Sequence, residues 1–283
     1  VRMNALEYAE KAGDLFVLPD SVTKIKQLID DGSASINEVA EVINHDPAIA
    51  AQILKIANSA LYKFPAVITT VNKAIQIIGT DSVYDLVLAY GISHAFKDMN
   101  DSDIDFTVFW ELGVSCGLLA KYLAQETAAK NPDKLFVCGL LHNIGELAIL
   151  QLSPDLAEKC SAFSVEKCPV TLQSEHLGFT YAEISAELLK LWGIPSEIYG
   201  PIAHQHAALH KPQSHEEKVL QLAANLALNN VYGEIYSRLD NINPAQYEIL
   251  NLDLDDLDAA LDFTNMQLIS TLAIFSPSTF SIY

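Results

Sequence analysis

Positive charge is scarce in this chain. Its 283 residues include 17 lysines and arginines against 36 aspartates and glutamates, a formal charge of −19. So acidic a surface repels nucleic-acid phosphates and anionic lipid, and no Lys/Arg cluster interrupts it, so neither nucleic acid nor membrane is expected as a direct partner. Long apolar runs are missing too: no stretch approaches the roughly 18 consecutive apolar residues of a membrane span. Val1 to Glu10 lacks the basic-then-apolar order of a secretory signal, and the expected compartment is the cytoplasm. The four cysteines, Cys116, Cys138, Cys160 and Cys168, form no C-x-x-C pair, and the first two sit in apolar helical runs. A disulfide scaffold and a structural zinc site are therefore not expected, and the surroundings read as reducing. No Gly/Ser-rich linker, fixed-period repeat or low-complexity tract occurs.

What is present is apolar and helical. Half of the residues are hydrophobic and only 19% are charged, the balance of a well-buried globular chain. Ser35-Ile36-Asn37-Glu38 reads as a capping box, and Asp46-Pro47 places an N-cap before a proline at the first helical position. The helix opened there carries Ile49, Ile53, Leu54, Ile56 and Ala57 near the 3.6 period. Thr80 or Asp81 is the expected cap of the next helix, with Val83, Leu86, Val87 and Tyr90 on one face. Trp110, Val114, Gly117, Leu118 and Lys121 follow helical spacing, and Leu135 to Leu150 reads as one central buried helix. Tyr181, Ile184, Ser185, Leu188, Leu189 and Trp192 form another stripe, stopped at Gly193 with Pro195 beyond. Val219 to Leu228 is again nearly all apolar. Leu257, Leu261, Met266 and Leu268 predict a last helix after the acidic stretch Asp253 to Asp258. The polar segments Lys97 to Asp105 and Lys211 to Glu217 are short enough to be helix connections. The expected fold is all-α: a single multi-helix domain, with a place near residue 100 where two helical lobes would meet.

Two stretches resemble a known family. Leu18-Pro19, Asn44-His45-Asp46-Pro47-Ala48-Ile49-Ala50, Leu54-Lys55-Ile56-Ala57-Asn58-Ser59-Ala60-Leu61-Tyr62 and Ala74-Ile75-Gln76-Ile77-Ile78-Gly79 follow one another in an order similar to the HDOD domain of bacterial signalling proteins. Gly139-Leu140-Leu141-His142-Asn143-Ile144-Gly145 resembles the "G-L-L-H-D-I-G" of the HD-domain phosphohydrolases, to which HDOD domains are related. The resemblance covers about residues 15 to 230. It implies an HD-like helical domain, with an N-terminal lobe at about 1–100 and an HD-like lobe at about 101–283. Asp46-Pro47 and Asn58-Ser59 also have a plain reading as helix boundaries.

An HD-type hydrolase holds divalent metal on histidines from several helices and an adjacent His-Asp pair, and the metal supplies a nucleophilic hydroxide. This sequence departs from that pattern. After Trp110-Glu111, where the first histidine is expected, stands Leu112. His142 is kept, but its acidic partner is Asn143. The pattern from Glu175 to Pro195, read as one helix, has Tyr181 in place of a histidine. The later His-His pair is Gln205-His206, and the final aspartate is Asn225. Without a carboxylate, two neutral nitrogens do not offset the dehydration of a hard dication. The resemblance therefore implies a vestigial pocket at Leu112, His142, Asn143, Tyr181, Gln205, His206 and Asn225, with no catalytic residue, no metal and no cofactor.

The remaining histidines offer little else. On a helix, His204 and His206 would point apart, whereas His206 and His210 would share a face near a helix end. Glu175-His176 are adjacent and face different ways. No G-x-S-x-G, G-x-x-x-x-G-K-[ST] or H-E-x-x-H motif occurs. The leading expectation is a non-catalytic signal-transduction output module that binds other signalling proteins. The alternative is a metal-dependent phosphohydrolase with an altered site, using His142 and His206 with Glu146, Glu183 or Glu187. A nucleotide sensor comes third, for want of cationic groups.

Overall fold

The computed structural model describes residues 3–99 and 105–275. Within them every regular element is an α-helix and there is no strand, as the periodicity predicts. They divide into two compact units, Val1–Phe16 with Asn100–Met266 and Val17–Met99 with Gln267–Tyr283. The expected lobe junction near residue 100, and the centre of the Lys97–Asp105 connection, lie outside the described residues.

The Val17–Met99 unit contains α2 (Asp20–Asp30), α3 (Ile36–Asn44), α4 (Pro47–Ala57), α5 (Val71–Ile78) and α6 (Thr80–Ala95). Ser35 and Glu38 form the anticipated capping box of α3, and Asp46 Oδ1 accepts from the N–H groups of Ala48 and Ile49 to open α4. Ile49, Ile53, Ile56 and Ala57 are buried there. The Asn58 side chain closes the helix and holds the loop beyond it. Its Nδ2 donates to the carbonyls of Leu54 and Ile68, each at 2.8 Å, while its Oδ1 accepts from Ile68 N–H at 2.7 Å. The cap expected at Thr80 or Asp81 is not made by either residue. Gly79 occupies the cap at φ 90°, a left-handed position open to glycine, and Thr80 is already helical.

The other unit is built around α7 (Phe106–Glu126), packed against α8 (Pro132–Leu141) and α14 (His215–Val231). Gly139 on α8 lies directly on α7: a Cβ there would stand 2.5 Å from Gly117 N and 2.6 Å from Cys116 O. Glycine lets the two backbones touch, which sets the depth at which α8 delivers its C-terminus to the core. Around these helices are α1 (Ala5–Leu15), α9 (Gly145–Leu152), α10 (Pro154–Ser161), α11 (Pro169–His176), α12 (Tyr181–Leu191), α13 (Ser196–His204) and α15 (Ala245–Glu248). Helix α1 packs on α9 and α12 and so belongs with the later helices. The segments Phe106–Glu126 and Pro132–Leu152 are long and apolar enough by length and composition to cross a membrane, but 78% of the apolar 18-residue window in each is buried inside the fold, as in core segments.

Three further expectations are corrected. Leu135 to Leu150 is not one helix: α8 ends at Leu141, residues 142–144 form a turn, and α9 begins at Gly145. Glu175 to Pro195 is likewise split, because Gly178 at φ +87° separates α11 from α12, which opens at its own Thr180–Glu183 capping box. The acidic stretch from Asp253 lies largely inside the final helix α16 (Leu254–Phe275) rather than before it. Asp253 Oδ1 accepts from Asp255 and Asp256 N–H, and negative charge suits a helix N-terminus. Met266, one of the apolar residues that predicted that helix, is 74% exposed on it.

Candidate functional site

The turn between α8 and α9 is the centre of the site. Gly145 N–H donates to Ser185 Oγ at 2.8 Å, and Ser185 in turn donates to the Tyr181 carbonyl at 2.9 Å. A Cβ on Gly145 would lie 2.1 Å from that same carbonyl oxygen. This close approach of α12, with its sideways hydrogen bond, takes residues 142–144 out of the regular helical ladder. The turn continues through shorter steps, Glu146 N–H to Asn143 O and Leu147 N–H to Ile144 O. The break swings His142, Asn143 and Glu146 towards one cavity.

That cavity has a volume of about 70 Å³, and all seven positions singled out from the sequence line it. Leu112 comes from α7, His142 and Asn143 from the turn, Tyr181 from the first residue of α12, and Asn225 from α14. Gln205 and His206 come from the turn after α13. His206 is therefore not on a helix, and the helical spacing assumed for His206 and His210 does not apply. Glu146, Gln173, Phe163 and Tyr232 also belong to the polar and aromatic lining. Only Glu146 among these four was raised by sequence reasoning, through its spacing from His142. Gln173 and Tyr232 carry no periodic or motif signal that could have placed them here. The other two carboxylates considered, Glu183 and Glu187, do not line it; Glu183 closes the α12 cap by accepting from Thr180 N–H at 2.7 Å.

His142 is buried, with Nδ1 2.6 Å from the Gly139 carbonyl. That bond places the proton on Nδ1 and leaves Nε2 as an acceptor. Burial pushes its pKa down to about 4, against the opposing Gly139 bond, so the ring is neutral at pH 7. The pKa of His206 is lowered first by burial of its ring against the pocket and second by His142. Because His206 keeps solvent-exposed surface in its turn, hydration tempers that effect. Gln205 Nε2 lies 3.1 Å from His206 Nε2, the amide donating to the ring. Gln205 is 2% exposed, and its Oε1 is buried without a hydrogen-bond partner.

Asn143 Nδ2 donates to Glu146 Oε2 at 2.5 Å. Burial raises the Glu146 pKa to about 7, and the Asn143 bond works against that rise. The Glu146 carboxylate also helps to push both Tyr181 and Tyr232 upward, secondary in each case to burial of the phenol. The pocket thus holds one carboxylate, two histidines that favour neutrality and several amides.

The donor set does not fit the divalent metal that the HD resemblance implies. His142 Nδ1 is committed to Gly139, His206 Nε2 to Gln205 and Glu146 Oε2 to Asn143, so His142 Nε2 and one carboxylate oxygen are too few to complete a dication's shell. Among the described residues no group of three or more His, Cys, Asp or Glu side chains is arranged to hold an ion. A hard dication needs several oxygen donors, usually with more than one negative charge.

Comparison with known proteins matches the HDOD domain to residues 15–208. An uncharacterized protein of Treponema pallidum (strain Nichols) is 24% identical over 235 residues, which is 81% of this chain but 45% of that relative's length. The chain therefore spans about half of the curated relative it matches. A crystal structure of a proposed phosphohydrolase from Shewanella amazonensis SB2B aligns with a TM-score of 0.72 at 23% identity, covering 96% of this chain and 97% of the other. An HDOD domain protein with unknown function from Geobacter sulfurreducens aligns at 0.70 and 19% identity, over 98% and 99% of the two chains. A proposed signal transduction protein from Marinobacter aquaeolei VT8 aligns at 0.67 and 23%, over 98% of this chain and 62% of the other. At these identities the likeness is one of fold.

Proposed function

Because this chain belongs to the HDOD domain family, and because its pocket lacks the donors of a metal hydrolase, we propose that it is a non-catalytic module of signal transduction that acts by binding other signalling proteins. The observation that carries this reading is the pairing of Asn143 with Glu146 beside a neutral His142. An amide stands where the HD pattern has an acid, and the one nearby carboxylate is occupied by it. Among the described residues no donor set is arranged to hold a water-activating ion, and the lining side chains supply no nucleophile matched to a phosphoester. The formal charge of −19 supports protein partners over nucleic acid, and the absence of disulfides among the four cysteines suits a cytoplasmic setting.

One observation favours a second reading, a phosphohydrolase with an altered metal site: Glu146 lines the same pocket as His142 and His206. Elemental analysis of the protein purified without chelator, together with turnover of a generic phosphodiester with added manganese, separates the two. The signalling reading expects sub-stoichiometric metal and no turnover above buffer. Stoichiometric metal with turnover abolished by His142→Ala would establish the hydrolase instead.

A further inference from the structure

The pocket has a recognition chemistry of its own. We propose that it binds a small organic cation, an ammonium or guanidinium group carried by a free small molecule, with Glu146 as the counter-ion. This site rests on the reading that the pocket holds no metal.

Charge selects the class of ligand. Among the described residues lining the cavity there is one acid, Glu146, and neither lysine nor arginine. A phosphate or carboxylate entering here would lose its hydration and meet a like charge with no cationic partner. A cation would meet the reverse, a partly buried carboxylate compensated only by the dipole of the Asn143 amide. Its arrival supplies the charge that this amide lacks.

Hydrogen-bond inventory selects the same class. His142 presents an unprotonated Nε2, because its Nδ1 proton is given to Gly139. Gln205 brings a buried Oε1 that no donor satisfies, an unusual condition for a residue 2% exposed. With Glu146 these make three acceptors in one cavity, and ammonium or guanidinium groups are donors throughout. Tyr181, Tyr232 and Phe163 bring aromatic rings to the lining, and a ring face turned to a desolvated cation attracts it through its negative quadrupole. The cavity of about 70 Å³ would take a handful of waters at roughly 10–15 Å³ each, or one compact head group in their place.

The test is a calorimetric titration of the whole chain with methylguanidinium and with methylammonium, using inorganic phosphate as the anion control. Saturable binding of at least one cation is expected, weakened about tenfold or more by Glu146→Gln, a loss of roughly 1.4 kcal/mol or more. Glu187→Gln, outside the pocket, should leave the affinity unchanged. If Glu146→Gln does not fold, Tyr232→Leu takes its place and must also weaken binding. Binding of neither cation, undiminished binding to the pocket variant that folds, or phosphate competing for the site would each overturn the proposal. Metal content and phosphodiester turnover are measured on the same preparation. A failed titration of metal-free, inactive protein removes only the cation site, whereas a bound dication with turnover removes the non-catalytic reading as well.

Discussion

The backbone N–H of Gly145 donates to the hydroxyl of Ser185 across the gap between α9 and α12, at 2.8 Å. The bond exists because glycine allows α12 to approach closely, and it marks the place where the apolar run from Leu135 is broken. Gly145→Ala places a Cβ against the Tyr181 carbonyl and forces the two elements apart, at a cost of about 1–3 kcal/mol or more, as overpacking does. Ser185→Ala leaves the Gly145 donor unsatisfied and costs about 1–3 kcal/mol. Urea denaturation of both variants checks this; a glycine variant as stable as the parent would refute the close approach.

Stability should respond to pH through two opposing groups. Glu146 titrates near 7 in the fold and near 4.5 when unfolded, so its contribution is full below 4.5 and is lost as pH rises through 7. His142 titrates near 4 in the fold and near 6.5 unfolded, so its contribution is full above 6.5 and is lost as pH falls through 4. Between pH 4.5 and 6.5 the two slopes oppose each other. Relative to the parent, Glu146→Gln should gain stability with rising pH across that window, and His142→Gln should lose it. The span is on the order of 1–3 kcal/mol, discounted for the accessible edge of Glu146. Parallel pH profiles for parent and variants would refute the assignment.

Asn143→Asp restores the acid of the HD pattern without restoring its function. The aspartate would face Glu146 where an amide now donates, replacing a hydrogen bond by like-charge repulsion. A loss of about 1–3 kcal/mol is expected at pH 8, partly recovered at pH 5, where the pair can share a proton. No manganese-dependent turnover is expected, because Leu112, Tyr181, Gln205 and Asn225 remain. Thermal unfolding at the two pH values and a phosphodiester assay check both halves.

Asn58 holds the loop after α4 by three hydrogen bonds to Leu54 and Ile68. Asn58→Ala should cost about 1–3 kcal/mol. Hydrogen exchange should rise at Ile68 while the α7–α8 core is unchanged. Unaltered exchange at Ile68 would sink this account of the Asn-Ser segment.

Lys121 is 4% exposed on α7, with Nζ 2.7 Å from Asp133 Oδ1. Removing only the acid takes this hydrogen bond from a buried ammonium, so Asp133→Asn should cost about 1.5–3 kcal/mol. Lys121→Met replaces the charge by an apolar chain of similar length and should cost clearly less. Chemical denaturation ranks the two, and the reverse order would contradict the buried pair.

Some of this was legible in the residues. The capping signals at Ser35, Asp46 and Gly193 predicted helix boundaries because a cap depends on neighbours three or four residues away. The seven pocket positions were nameable only through the family resemblance, whose motifs they fall within or beside. What failed did so for lack of long-range information. The run from Leu135 to Leu150 looks continuous, since its break comes from Ser185, forty residues away. Met266 fits an apolar stripe by spacing, but spacing cannot say whether anything packs against it. Gln173 and Tyr232 have no pattern at all and reach the cavity only through the packing of other helices.

Residue order alone indicated an all-helical chain with a large excess of acidic residues, because composition and short-range periodicity carry that information, while the family resemblance is what drew attention to the seven pocket positions. Tertiary packing decided that those seven positions share one cavity, that Glu146 stands in it beside a neutral His142, and that Gln205 is left with an unsatisfied oxygen. Protonation and hydrogen-bond satisfaction depend on burial and on partners distant in sequence, and these arise only when the helices close on one another.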